Sequence, residues 1–233
     1  MTVHSSSESG LIVTDARKLI RGARIATLAT LDHENGHPYA SLIAVATAMD
    51  GAPLFLISEL AVHTRNLKSD PRISILFAAE SRKGADPLDA GRVSVMGTAA
   101  VTGSADLRNR FLARHPEAAL YADFADFSFY EMTLSHAHYV GGFGRISSVA
   151  ASDILVSDEN AKTWQTGAGE TLRILNSGHR DQLARLAGED AEMVACDPDG
   201  FDLAAGSIVT RIAFAQRLAA LDGVADAMRQ IDP

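Results

Sequence analysis

The chain has 233 residues, 47% hydrophobic and 21% charged, with a net charge of −8 at neutral pH. This is ordinary globular composition, enough for one large core or two small ones. No basic half or tail exists to neutralise phosphates, which argues against a nucleic-acid binder, and the single cysteine, Cys196, excludes an internal disulfide and a cysteine-built metal cluster.

The first ten residues, MTVHSSSESG, are polar and lack an apolar core of signal-peptide length. No apolar run reaches the ~20 residues of a membrane span. The expectation is a cytoplasmic protein with no membrane or nucleic-acid partner. Residues 1–13 read as a mobile lead. Thr14 or Asp15 caps a first helix, which Gly22 ends. RIATLATL and YASLIAVATAM read as two strands joined by a hairpin at Asn35-Gly36. After the turn at Asp50–Pro53, LFLIS is a third strand. ISILFAA and RVSVMGTAAVTG follow as the fourth and fifth, the latter with Gly97 marking a bulge or a close approach. Ser104 or Gly103 begins the helix ADLRNRFLARH, PEAALYADF is a short helical piece, and FSFYEMTLSHAHYVGGFG is one or two strands. Short strands, tight turns and few helices predict a closed or partly closed antiparallel barrel.

A Ser-, Ala- and Asp-rich stretch over 147–163 marks a boundary. Beyond it the pattern predicts a helix over 169–187, the strand EMVACD, a turn at Pro198–Gly200, the strands FDL and SIVTRIAF, and a helix over 216–231. The division is therefore 14–153 for the barrel and 160–233 for a small C-terminal α+β unit.

Chemistry concentrates in Leu54–Arg72, LFLISELAVHTRNLKSDPR. A strand gives way to a short helix that Asp70-Pro71 closes. Free N–H groups at a helix N-terminus attract an anion, and a guanidinium grips a phosphate in bidentate fashion. Arg65, with hydroxyls at Ser58 and Thr64, is thus a candidate phosphate cradle. The competing reading is a plain surface helix with a solvated Arg65.

LFLIS-x4-HTRNL-x2-DPR, between YASLIAVA and RVSVMGTA, resembles the FMN-binding split-barrel family related to pyridoxamine 5'-phosphate oxidase. The sequence is most similar to the HugZ-like branch, which adds a C-terminal DUF2470 domain. Asn176-x2-His179, Asp197-Pro-Asp-Gly-Phe-Asp-Leu and Arg211-Ile-Ala-Phe follow the DUF2470 pattern. The resemblance implies a homodimeric flavoprotein, a flavin-dependent oxidoreductase whose substrate it does not name. It implies that Arg65 pairs with the FMN phosphate, helped by Asn66, Thr64 and Ser58, and that Ser41 and Leu42 lie beside the ribityl chain or ring. SLIAVATAM carries none of the basic residues that the oxidases place there, which leaves charge compensation to Arg65 and Arg72. The oxidases' terminal Arg-x-His segment and tryptophan are missing, so their activity does not carry over.

Two other readings stand beside this one. Some HugZ-like proteins bind and degrade haem through a histidine in a C-terminal tail, yet no histidine follows His179 here. A regulatory binding protein that has lost flavin is the third. His136 and His138 share a strand face but lack a third metal ligand, so no metal site is expected. His179 reads as a helix-capping or interdomain residue. Gly141–Arg145 reads as a bend, with Arg145 as an outside candidate for an anion contact.

Overall fold

A computed structural model describes residues 6–81, 83–142 and 145–231. The expectation of an α+β architecture, a split barrel with a smaller α+β unit, is met. Six strands close the barrel: β1 (Ile25–Leu31), β2 (Pro38–Thr47), β3 (Pro53–Ser58), β4 (Arg72–Ala78), β5 (Arg92–Val101) and β6 (Phe127–Val140). They run in the order β3-β2-β1-β4-β5-β6, and β3 pairs with β6 to remove the open edge. β7 (Ile146–Ala150) extends the sheet beyond β6. All pairings are antiparallel.

Alternation builds the barrel core. β4 buries Ile73, Ile75 and Phe77 and exposes every second residue between them more fully. β3 is buried over Pro53–Ile57 because both of its faces are covered. On its outer side Leu54 and Leu56 pack with Phe111 of α3 (Ala105–Arg114), which Ser104 caps by accepting from the Leu107 N–H. The β5–β6 register shifts at Met96/Gly97, so the bulge expected at Gly97 is present.

The helix expected from Thr14 starts earlier. α1 spans Ser6–Gly22, Ile12 is buried in the barrel core, and the Thr14 hydroxyl bonds back to the Gly10 carbonyl instead of capping. The reading of 1–13 as a mobile lead is therefore corrected from Ser6 onward, because that turn has a core to bury Ile12 against.

α4 (Ala151–Ile154) leads to α5 (Asp158–Gly178) and α6 (Arg180–Ala187). A three-stranded sheet follows, order β10-β9-β8, from β8 (Glu192–Asp197), β9 (Gly200–Ala205) and β10 (Ile208–Ala213). It packs Trp164, Phe201, Leu203 and Phe214 into a second core. The helix expected over 216–231 is shorter: a 3-10 turn at Leu221–Gly223 and then α7 (Val224–Arg229). Asn176 fixes α5 to β8 through both backbone groups of one residue, its amide accepting from the Met193 N–H (2.8 Å) and donating to the Met193 carbonyl (3.0 Å). No described helix is long and apolar enough to cross a membrane.

The two cores meet across buried ion pairs. Arg21 of α1 donates to the Ala48 and Met49 carbonyls and to Asp199. Arg110 of α3 reaches Asp197, Arg114 reaches Asp202, and Arg211 of β10 grips Asp197 with two nitrogens.

Candidate functional site

The strand-to-helix element stands where the sequence puts it: β3 ends at Ser58 and α2 spans Val62–Ser69. The turn is built by its own polar groups. The Ser58 carbonyl accepts from the Ala61 N–H and from the Thr64 hydroxyl (2.6 Å). The Ser58 hydroxyl accepts from the Leu60 N–H and donates to the Asp126 carboxylate (2.7 Å). Asn66 donates to the Thr30 hydroxyl and accepts from the His33 N–H.

These bonds decide which side chains remain available. Thr64 and Asn66 are 0% exposed and committed inward. Ser58 sits beside a carboxylate, which repels a phosphate dianion. Arg72 is held by Asp70, and Arg145 by Asp15. Arg65 is exposed, and its guanidinium has no hydrogen bond or ion pair among the described residues.

Leu42, Ala44, Leu56, Ser58, His63, Tyr121 and Phe127 line an open groove of about 390 Å³ on the outside of the barrel. Its floor comes from β2 and β3, one wall from α2, and the other from the segment between α3 and β6. The β3–β6 register Ser58↔Phe127 brings that second wall to the first. Nearby apolar side chains stay open to solvent: Leu42 is 68% exposed, Leu60 82%, Leu120 81% and Phe124 58%. Of the six sequence candidates, Leu42 and Ser58 line the groove, Ser41 touches it through His63, Arg65 lies on the outer face of α2, and Thr64 and Asn66 support the turn.

His63 is the polar group of the groove that sequence reading did not select. Its Nδ1 lies 3.0 Å from the Ser41 hydroxyl. Burial lowers its pKa, so the neutral imidazole is favoured. With Nδ1–H donating to Ser41, Nε2 carries a lone pair for which no described residue supplies a partner. The signal was its place in HTRNL; the contact with Ser41 arises only when β2 and β3 pair. His136 and His138 are exposed on β6, and no described group of three or more His, Cys, Asp or Glu is arranged to hold a metal ion.

Residues 11–156 match the family model described as CREG, beta-barrel, which covers more than half of the chain. The chain belongs to the CREG beta-barrel family. Among curated proteins, this family member is similar to "Non-canonical heme oxygenase HOZ, chloroplastic" of Arabidopsis thaliana, 33% identical over 136 residues. That match takes in 56% of this chain and 40% of the relative, so the chain spans less than half the length of the relative it matches. A solved protein of unknown function from Agrobacterium tumefaciens, Atu2129, is 28% identical with a TM-score of 0.75, over 99% of this chain and 98% of that one. A heme-binding protein from Mycobacterium smegmatis is 29% identical with a TM-score of 0.58, over 98% and 97%. These two likenesses extend past the CREG barrel into the second α+β unit.

Proposed function

We propose that the chain binds haem in the groove between β2, β3 and α2. The carrying observation is His63: a half-buried, neutral imidazole on an apolar wall, with Ser41 on one ring nitrogen and the other unpartnered. Haem ligation needs this combination of an imidazole lone pair and an apolar face. The similarity to a heme oxygenase of Arabidopsis and a heme-binding protein of Mycobacterium supports the same reading. When bound, the group supplies redox and oxygen chemistry; the residues here hold it, orient the ligand and exclude water from one face. The exposed Leu42, Leu60, Leu120 and Phe124 favour a homodimer that covers the groove. Haemin titration followed by absorption tests the proposal. We expect a saturable Soret band whose position shifts in His63→Ala; haemin absorbance unchanged by the protein rejects it.

FMN is the second reading, favoured by one observation: the guanidinium of Arg65, exposed on α2 two residues after the groove-lining His63, has no partner among the described residues. A flavin-dependent oxidoreductase needs such a cation for the phosphate, with Leu42 against the ring. Quenching of FMN fluorescence that Arg65→Ala abolishes supports it. Fluorescence that stays unquenched removes it.

A further inference from the structure

The junction between α1, α3 and the second sheet buries more positive than negative charge. Six guanidiniums, those of Arg17, Arg21, Arg110, Arg114, Arg211 and Arg217, meet the three carboxylates Asp197, Asp199 and Asp202. The side chains of Arg21, Arg114 and Arg211 are 3%, 5% and 6% exposed, so water does little to offset their charge. Unpaired buried charge is costly, and proteins pair it or bind a counter-ion.

The excess focuses on one notch. Arg17, Lys18, Arg21, Arg211 and Arg217 line a cavity of about 20 Å³ whose only carboxylate is Asp199; Thr14 and Gln216 complete the polar wall. Arg17 Nε is buried there with no hydrogen-bond partner among the described residues, and lies 3.8 Å from the nearer Asp199 oxygen. Asp153, on α4, also faces Arg17 but is exposed. Burial and the neighbouring Arg217 both lower the Arg17 pKa, the direction expected of a cation short of counter-charge. On the inner side, the unpartnered Nε atoms of Arg114 and Arg211 belong to residues that line a second void, of about 10 Å³. Arg24, the next cation outward, is already paired with Glu117.

The notch has room for about one water-sized guest. A water satisfies the N–H donors and leaves the charge excess untouched. We propose that the notch lined by Arg17, Lys18, Arg21, Arg211 and Arg217 binds one small inorganic anion, chloride in size and charge, which ties α1 to the second sheet. The occupant is neither haem nor a flavin, and the site is separate from the groove.

Thermal unfolding of the full chain, with sodium gluconate replaced by sodium chloride at constant ionic strength, tests this. We expect a saturable rise in Tm of about 2–4 °C that disappears in Arg17→Gln. Crystals soaked in sodium bromide should show an anomalous peak in the notch. A Tm that ignores the exchange, together with no bromide peak, overturns the proposal and leaves a water in the notch. An undiminished chloride effect in a folded Arg17→Gln protein also overturns it, because the anion then binds elsewhere.

Discussion

Ser41 Oγ, on β2, lies 3.0 Å from His63 Nδ1, on α2, and so joins two elements separated by the whole of β3. If His63 ligates haem, Ser41 fixes which ring nitrogen carries the proton. Partners of this kind typically alter ligand affinity by about 10–100-fold. Ser41→Ala should therefore weaken haemin binding within that range and broaden the low-spin signals in the electron paramagnetic resonance spectrum. Because burial lowers the His63 pKa, the neutral ligand should persist below the ordinary histidine value of about 6.5. A haem complex that loses its imidazole-type spectrum already above pH 7 would contradict this.

Asp197 has a different task. It is 0% exposed and accepts from Arg110 and Arg211. Burial alone would raise its pKa, but Arg21, Arg211 and Arg110 hold it far below the carboxylate range. Asp197→Asn removes one charge from beneath three guanidiniums, and breaking a buried pair costs about 3–5 kcal/mol. Urea denaturation should show a lower midpoint with the slope unchanged, the product of slope and midpoint shift giving that loss. The pH dependence follows from the depressed folded-state pKa. The stabilisation is complete above the unfolded aspartate value of about 4, and it is lost as pH falls below that value towards the folded pKa. Wild type should lose stability steeply below pH 4, and Asp197→Asn less steeply.

The barrel was legible because its strands are local patterns: β4 alternates, Asn35-Gly36 marks a hairpin, and Gly97 marks a bulge. The pairing of β3 with β6 was not, since nothing in LFLIS names Phe127 as the neighbour of Ser58. That pairing makes the groove, so the groove too was hidden. Thr64 and Asn66 had the right chemistry for a phosphate cradle, yet sequence cannot say that their donors turn inward to Ser58 and Thr30. The same limit applies to the arginines. Arg21, Arg110 and Arg114 look like the polar faces of amphipathic helices until the second sheet brings Asp197, Asp199 and Asp202 to them. α1 starts before Thr14 although Ser6–Gly10 carries no apolar residue, because Ile12 is buried in the core and Val13 packs against it.

Cys196 should be chemically silent in the folded protein. It is 1% exposed, and burial, with Asp197 beside it, pushes its pKa up to about 12 from 9.0. The thiolate is the reactive form, so roughly a thousandfold less of it is present than in a free cysteine at the same pH. A thiol-reactive disulfide reagent at pH 8 should release no chromophore from native protein and one equivalent after guanidinium unfolding. Rapid native labelling would mean that the junction opens far more often than its ion pairs suggest.

Two glycine-to-alanine changes should move stability in opposite directions. A Cβ on Gly97 would lie 2.0 Å from the Thr133 carbonyl oxygen, a backbone atom of the facing strand that has no free rotamer to turn away. The register there is fixed by the bulge: Gly97 faces Leu134, Met96 faces His136, and the hydroxyl of the extra residue, Ser135, donates to the Met96 carbonyl. Gly97→Ala must push β5 from β6 within a closed barrel, so a loss at or above the upper end of the ~1–3 kcal/mol typical of overpacking is expected. Gly10 lies on the exposed side of α1, and an added Cβ meets nothing within 4 Å. Gly10→Ala removes backbone freedom from the unfolded chain and should stabilise by about 0.5–1 kcal/mol. Equilibrium unfolding of both variants separates the two causes. If Gly97→Ala proves neutral, the strands separate there at little cost; if Gly10→Ala is neutral, the first turns of α1 contribute little to the folded state.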